Sequence, residues 1–257
     1  MTEQPTRSEL VHYEVVDAIA TVTLDSPHNR NALSAQLIGE LIERLERAEA
    51  DDAVKVVVLA ATGAVFCSGA DLSEASAGAP GDAAQGPRAI VRLQRLIVSH
   101  AKPVICRVQG AVRAGGIGLV AAADVAVAAD TASFALTEVK LGLAPAAISL
   151  TVLQRLSSRA AAYTFLTGER FGAADAASMG LVTSAVAAED LDTEVARIGA
   201  ELVTGSAQGL RETKRLLNSD LLAGIDARAE EVTELSARLF GSDAAREAML
   251  AFLARGK

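Results

Sequence analysis

The sequence predicts an α/β fold with a mainly parallel β-sheet. Apolar, strand-like runs alternate with helical segments along the 257 residues, and such alternation supplies the crossovers that parallel strands need. The run VKVVVLAA is apolar at almost every position rather than at every second one, and KPVICRVQ is predicted as a second buried strand. This pattern is typical of strands covered on both faces, so we expect both runs in the middle of the sheet.

The first elements follow from short-range signals. VHYEVV and AIATVTL carry alternating β-branched residues and meet at Asp17-Ala18, which predicts a β-hairpin. DSPHNRN then reads as a turn. ALSAQLIGELIERLERAEA has the apolar period of an amphipathic helix, with Ser34 as its N-cap.

The rest of the chain is predicted from longer patterns. The first buried run leads into the loop TGAVFCSGADL, and SEASAGAPGDAAQGPR is small and rich in Gly and Pro, which predicts a mobile surface segment that could act as a lid. Further predicted elements are a helix over 87–99, short strands at DVAVAA and ASFAL, helices from about 148 onward, and final helices over 225–240 and 242–254. A boundary near 200 would divide an α/β core (1–200) from a helical C-terminal region (201–257).

Composition excludes several classes of function. The net charge of −8 argues against a nucleic-acid partner, which a basic face would attract. No stretch has the apolar length of a membrane span, and MTEQPTRSEL lacks the apolar core of a signal peptide. Cys67 and Cys106 stand in no CxxC pair, and no His has metal-ligand spacing. We therefore expect buried free thiols, a cytoplasmic location and no metal site.

The stretch AVRAGGIGLVAAAD, residues 111–124, places three glycines directly before a short apolar run. Residues 116–121 match the dinucleotide fingerprint G-x-G-x-x-A. The context argues against that function, because several residues separate the preceding strand from Gly115 and the following helix has barely two turns. Close packing of a helix on a sheet is the alternative role for these glycines.

A second stretch, VVVLAATGAVFCSGADL, has the same order of buried strand, glycine loop and turn into a helix. Loops that leave one parallel sheet lie at the same edge, so the N–H groups of Ala70 and Gly115 could converge on one oxygen. Two such donors form an oxyanion hole, which stabilises the charge that develops when a thioester becomes an enolate. The positive end of the helix after Gly115 would add to this effect.

Four ordered segments together resemble the crotonase superfamily, the enoyl-CoA hydratase/isomerase family. They are FCSGADL, KPVICRVQGAVRAGGIGLVAAADVAVAAD, FALTEVKLGLAP and LTGERFGAADAASMGLV. The resemblance extends from about residue 12 to the C-terminus. It implies a ClpP/crotonase-like spiral of ββα units with a C-terminal helical trimerisation region. It also implies an acyl-CoA thioester substrate with no separate cofactor, and a homotrimer or dimer of trimers.

The resemblance also assigns site residues. Ala70 and Gly115 fall on the two oxyanion positions, and Arg30 falls on the loop that borders the CoA phosphates. Phe252 and Arg255 fall where the family has an aromatic and a basic residue near the nucleotide part of CoA. The substrate-binding set implied in this way is Arg30, Ala32, Ser68, Gly69, Ala70, Asp71, Leu72, Gly115, Gly116, Phe252 and Arg255.

Glu138 is the predicted catalytic acid and base. The resemblance to two-Glu hydratases places Gly118 at the first carboxylate position and Glu138 at the second, so this chain departs from the two-Glu pattern. It resembles instead single-Glu hydratases of the methylglutaconyl-CoA type, with APAAIS in place of PGxGGT. The apolar flanks FALT and VKLGLAP would desolvate Glu138 and raise its pKa. A solvated pair with Lys140 is the alternative reading.

Three functions remain open at this stage. The sequence favours a hydratase that adds water across the double bond of a 2-enoyl-CoA. A Δ3-Δ2 enoyl-CoA isomerase would use the same glutamate, and a weakly active protein could bind CoA thioesters without turnover. Arg113 could pair with a carboxylate on a branched acyl group, although an exposed position is expected for arginine. No His accompanies a nucleophile elbow, which argues against a triad hydrolase.

Overall fold

The computed structural model describes residues 8–77 and 84–255. The strands are Val11–Val16 (β1), Ile19–Leu24 (β2), Val56–Ala61 (β3), Val65–Cys67 (β4), Val104–Val108 (β5), Ala111–Arg113 (β6), Val125–Ala129 (β7), Ser133–Ala135 (β8), Phe171–Gly172 (β9) and Ser184–Val186 (β10). The helices are Ala35–Ala50 (α1), Leu72–Ala77 (α2), Gln85–Ser99 (α3), Gly115–Ala122 (α4), Ala146–Arg155 (α5), Ser158–Thr167 (α6), Ala173–Met179 (α7), Leu191–Val203 (α8), Ala207–Phe240 (α9) and Asp243–Arg255 (α10). Short 3-10 turns cover Pro27–Asn29, Thr137–Leu141 and Ala188–Asp190.

The larger sheet has the strand order β1-β2-β3-β5-β7-β10. Strands β1 and β2 pair antiparallel, and every other neighbouring pair in this sheet is parallel. The hairpin turn falls at Asp17 and Ala18, which have φ angles of 50° and 64°, as a turn matched to strand twist requires. The predicted hairpin and mainly parallel sheet are both confirmed.

Both faces of the central strands are covered, as the continuous apolar runs predict. In β3, Val57, Leu59 and Ala61 belong to the main core. Val56, Val58 and Ala60 point to the opposite face, where they pack with Leu191 and Val195 of α8. Because successive side chains of a strand point to opposite faces, one apolar run contributes to two cores.

A smaller sheet has the order β4-β6-β8-β9 and carries the site. Each of the units β3–β4, β5–β6 and β7–β8 sends its first strand to the larger sheet and its second to the smaller one. A helix follows each unit, so the predicted spiral of ββα units is confirmed. Both glycine loops leave one parallel sheet, as expected, but it is the smaller sheet and not the one that holds the buried runs. The three-residue strands β4 and β6 intervene, and they are too short to show an alternating pattern.

Other expectations also need correction. Leu72–Ala77, placed largely in the predicted mobile segment, is helix α2, while 78–83 lie outside the described residues. The helix predicted over 225–240 is the second half of the 34-residue α9. Helix α9 as a whole has a weak apolar period and packs against α3 and α5. Two short strands, β9 and β10, interrupt the region predicted to be only helical.

The proposed division into 1–200 and 201–257 stays a prediction. Residue 200 lies within α8, which packs on β3, β5 and β7 of the larger sheet. Helix α9 then crosses back over α3 and α5. The C-terminal region is thereby packed along the core.

Candidate active site

Three neighbouring parallel strands of the smaller sheet end at one edge and deliver the three predicted catalytic positions. Strand β4 pairs parallel with β6, and β6 pairs parallel with β8. Ala70 follows the end of β4, Gly115 follows the end of β6, and Glu138 follows the end of β8. Because parallel strands present their carboxyl ends on the same side, the fold brings these residues to one edge.

The oxyanion segments lie in direct contact. A Cβ on Gly115 would lie 3.7 Å from the amide nitrogen of Ala70 and 3.5 Å from Cα of Gly69. A Cβ on Gly69, whose φ is +92°, would lie 3.2 Å from the nitrogen of Gly115. Glycine at both positions therefore allows the two backbone segments to approach closely, as the predicted oxyanion hole requires.

Among the described residues neither N–H group has an acceptor, so both are available to a ligand. Leu33 and Ala70 form a parallel bridge in which the N–H of Leu33 donates to the carbonyl of Gly69 at 2.8 Å, a pattern that does not use the N–H of Ala70. Gly115 is the first residue of α4, where an N–H has no acceptor within the helix. Ala114 before it has φ 46° and ψ −120°, a strained conformation that sets the direction of the Gly115 N–H.

The loop before α1 holds the first oxyanion segment. The N–H of Ser68 donates to the carbonyl of Arg30 at 3.1 Å. Asn31, which is fully buried, donates from Nδ2 to the carbonyls of Thr62 and Val65. Sequence reasoning missed Asn31, although it stands beside Arg30 in HNRNALS. The Arg30 side chain is exposed, and its predicted contact with CoA stays a prediction.

Asp71 and Leu72 connect the oxyanion segment to α2. The Asp71 carboxylate accepts hydrogen bonds from Nδ2 of Asn29 and from the backbone and hydroxyl of Ser73. Burial alone would raise the pKa of Asp71, but hydrogen bonds from Ser73, Glu74 and Asn29 outweigh it and hold the pKa below its ordinary value. Asp71 is therefore an ionised cap for α2, and Leu72 packs into an apolar cluster beside the C-terminal helices.

Glu138 lies in the 3-10 turn Thr137–Leu141. Its Oε2 is buried and has no hydrogen-bond partner among the described residues. Burial raises the pKa of the Glu138 carboxyl to about 7, against a smaller opposite effect of its own backbone N–H. The alternative of a solvated pair with Lys140 is therefore wrong. The side chain has the acid strength that proton transfer at neutral pH requires.

The C-terminal helix supports this turn, which the sequence did not predict. The N–H of Leu143 donates to the carbonyl of Glu138 at 2.9 Å. Gly142 has a φ of +70°, and a Cβ there would lie 3.1 Å from the carbonyl oxygen of Ala244 in α10. Only glycine allows α10 to lie this close to the turn.

The position of a second carboxylate is closed. A Cβ on Gly118 would lie 2.7 Å from Cγ2 of Ile148 and 3.0 Å from Oε1 of Gln94. Both side chains are buried, and Oε1 of Gln94 already accepts a hydrogen bond from the hydroxyl of Thr151 at 2.6 Å. Gly118 is therefore a packing position in this chain, and it has no room for a second carboxylate.

Several other residues have structural roles. Arg113 is half-buried and donates to the carbonyls of Val112 and Ser133, which connects β6 to β8. Its predicted contact with a substrate carboxylate stays a prediction. Burial raises the pKa of the Cys67 thiol to about 12, which excludes a nucleophile. Gly116 packs on Cys67, with a would-be Cβ at 2.7 Å from the cysteine Cβ.

The structure says less about the other predicted substrate-binding residues. Ala32 is buried beside the bridge residue Leu33. Phe252 and Arg255 fall in the last turns of α10, where the side chains lie outside the described part of the chain. Across residues 8–77 and 84–255, no helix could span a membrane and no cluster of three or more His, Cys, Asp or Glu could hold a metal ion.

Comparison with known proteins agrees with this geometry. The family model described as "Enoyl-CoA hydratase/isomerase" matches residues 14–257. A "Probable enoyl-CoA hydratase" of Rhodobacter capsulatus is 32% identical over 244 residues, which cover 95% of this chain and 94% of that protein.

Solved structures are more similar in sequence. A "Putative enoyl-coA hydratase" from Mycobacterium avium paratuberculosis K-10 is 49% identical with a TM-score of 0.90, covering 96% of this chain and 97% of the other. An enoyl-CoA hydratase from Mycobacterium avium is 47% identical with the same TM-score of 0.90 and the same coverage, 96% and 97%.

Proposed function

The chain belongs to the enoyl-CoA hydratase/isomerase family, and on that basis we propose that it hydrates the double bond of a 2-enoyl-CoA thioester. One observation carries the proposal. The ends of three adjacent parallel strands are followed by Ala70, Gly115 and Glu138. The first two offer available N–H groups, and the third offers a buried carboxyl with a pKa of about 7. The CoA is part of the substrate, and no separate cofactor is proposed.

The reaction follows from these groups. The thioester carbonyl oxygen accepts hydrogen bonds from both N–H groups, which stabilise the negative charge of the enolate. A water molecule forms a bond to C3 while Glu138 takes one of its protons, and the C2=C3 electron pair moves toward the carbonyl. Glu138 then returns the proton to C2, which restores the thioester and the carboxylate. One carboxyl thereby serves as base and then as acid.

A second candidate is Δ3-Δ2 isomerisation. The closed position at Gly118 favours it, because no second carboxylate helps to hold a water molecule. Glu138 would remove a proton from C2 and deliver it to C4, or the reverse, with the same enolate in the oxyanion hole. No atom is added to the substrate in this reaction.

The wider assignments are part of the proposal. Arg30, Phe252 and Arg255 would contact the phosphate and nucleotide parts of CoA. The family resemblance supports a homotrimer or a dimer of trimers. The free thiols of Cys67 and Cys106 suit a reducing cytoplasm.

The test compares crotonyl-CoA with a 3-enoyl-CoA and identifies each product by mass. We expect crotonyl-CoA to gain one water, and Glu138→Gln to lower kcat by at least about 100-fold, as loss of an acid–base group does. Glu189→Gln, at an exposed position, is the matched control and should retain full activity.

Other outcomes would redirect the assignment. Conversion of only the 3-enoyl substrate at unchanged mass would replace hydration by isomerisation. Thermal stabilisation by both thioesters without turnover would instead indicate a binding protein.

A further inference from the structure

Helix α4 needs an anchor that its own sequence does not supply. It has eight residues, all buried, and no side chain caps its N-terminus. The preceding residue, Ala114, has a positive φ of 46°. A strained residue of this kind persists only when the surrounding structure holds it in place. Residues outside α4 must therefore fix the helix that carries the Gly115 N–H.

Arg155 of α5 binds the C-terminal end of α4. Its Nε donates to the carbonyl of Ala121 at 2.9 Å, and its Nη2 donates to the carbonyl of Ala123 at 3.1 Å. These carbonyls lie at the C-terminal end of the helix, where acceptors lack partners within the helix. A cation there also opposes the negative end of the helix dipole.

Asp124 connects the C-terminal end of α4 to β5 and α9. Its carboxylate accepts hydrogen bonds from the N–H of Val104 at 2.7 Å and from Nδ2 of Asn218 at 3.1 Å. It also pairs with the buried Nζ of Lys214 at 2.7 Å. The C-terminal end of α4 is therefore tied to β5, α5 and α9 at once.

We propose that Arg155 is a positioning residue for the oxyanion hole. It acts through α4, about 12 Å long, by holding the helix against the strained Ala114 so that the Gly115 N–H points at the thioester oxygen. The inference rests on the proposed function, because it assumes that this N–H binds the thioester. A displacement of about 1 Å at such a donor can cost about 100-fold in rate.

The first test separates catalysis from binding. Arg155→Met removes both donors and keeps much of the side-chain volume. We expect kcat for crotonyl-CoA to fall about 10- to 100-fold while KM changes less than about twofold, because the donor acts mainly in the transition state. Arg155→Lys keeps the charge and one donor direction, so it should recover part of kcat. Arg159→Met, at an exposed position on α6, should match the wild type.

The second test reads the oxyanion hole without turnover. The probe is butyryl-CoA labelled with ¹³C at the thioester carbonyl, a saturated compound that cannot be hydrated. Its carbonyl stretching frequency should fall on binding to the wild type, and the fall should be smaller in Arg155→Met. If that variant fails to fold, Arg155→Lys serves instead, with an intermediate frequency expected.

The outcomes separate two failures. A frequency shift in the wild type that is unchanged in the folded Arg155 variants overturns the role of Arg155. Absence of any shift in the wild type overturns the oxyanion hole itself, and with it the proposed function.

Discussion

Burial is the main influence on the acidity of Glu138, and no charged partner contributes among the described residues. Desolvation raises the pKa of its carboxyl to about 7. Asp71, only half-buried and bonded to Asn29 and Ser73, has a pKa below its ordinary value. Two carboxyl groups near one edge of the smaller sheet therefore suit different tasks: Asp71 is an ionised structural cap, and Glu138 is the proposed acid and base.

The raised pKa of Glu138 should make stability depend on pH. The unfolded chain releases this proton near the ordinary pKa of 4.5, whereas the folded protein keeps it until about pH 7. The contribution to the free energy of unfolding is thus complete below the lower value and is lost as pH rises through the higher one. Between pH 4 and pH 8 the loss amounts to about 3 kcal/mol.

Glu138→Gln should remove this dependence while abolishing turnover. We expect urea unfolding to show the variant gaining about 3 kcal/mol relative to the wild type as pH rises from 4 to 8. Glu189→Gln, at an exposed position, is the control for the loss of a carboxylate. A constant difference between Glu138→Gln and the wild type would mean that the carboxyl titrates normally.

At the level of elements, the sequence correctly predicted the turns and helix ends that depend on neighbouring residues. The β1–β2 hairpin needed two residues with positive φ at Asp17-Ala18, and α1 needed its cap, Ser34, which accepts from the N–H of Leu37 as expected. Strands β4 and β6 were missed because three residues carry no period. Their pairing partners are distant in the chain, so only the tertiary fold defines them.

The sequence likewise predicted only some residues of the candidate site. Glycine patterns pointed to Ala70 and Gly115, and the resemblance to the crotonase superfamily pointed to Glu138. Asn31, Arg155 and Gly142 were not assigned to the site, because each acts through a backbone carbonyl or a packing contact in another segment. Such contacts leave no local pattern in a single sequence.

Gly142 offers a prediction about the contact between α10 and the catalytic turn. Gly142→Ala places a side chain at a φ of +70° and 3.1 Å from Ala244, so we expect a loss of about 1–2 kcal/mol. Displacement of α10 should also hydrate Glu138. The pH at which kcat/KM reaches half its maximum, expected near 7 in the wild type, should then fall.

The matched control is Gly39→Ala in α1, where a Cβ meets nothing within 4 Å. This variant should gain about 0.5–1 kcal/mol from helix propensity and keep the wild-type pH profile. Equal pH profiles for the two variants would show that α10 does not set the environment of Glu138.

At the scale of the whole molecule, one apolar surface borders the catalytic turn. A hollow of about 610 Å³ lies between α5 and α6, and beside it Leu166 and Tyr163 are 74% and 55% exposed. Gly168 at the end of α6 packs on Val139, which follows Glu138 directly. Exposed apolar patches of this kind mark contacts between proteins, and we expect a second copy of this chain to cover this one.

The expected assembly is a homotrimer or a dimer of trimers, three or six times the 26.4 kDa of one chain. Leu166→Glu should lower the mass measured by sedimentation, because a charge at the contact must be desolvated. Val16→Glu, at a residue 57% exposed on β1 and outside the C-terminal helical region, is the matched control and should leave the mass unchanged. Since the patch continues into the turn that holds Glu138, the smaller species should also lose activity. An undiminished mass for Leu166→Glu would place the contact between copies elsewhere on the molecule.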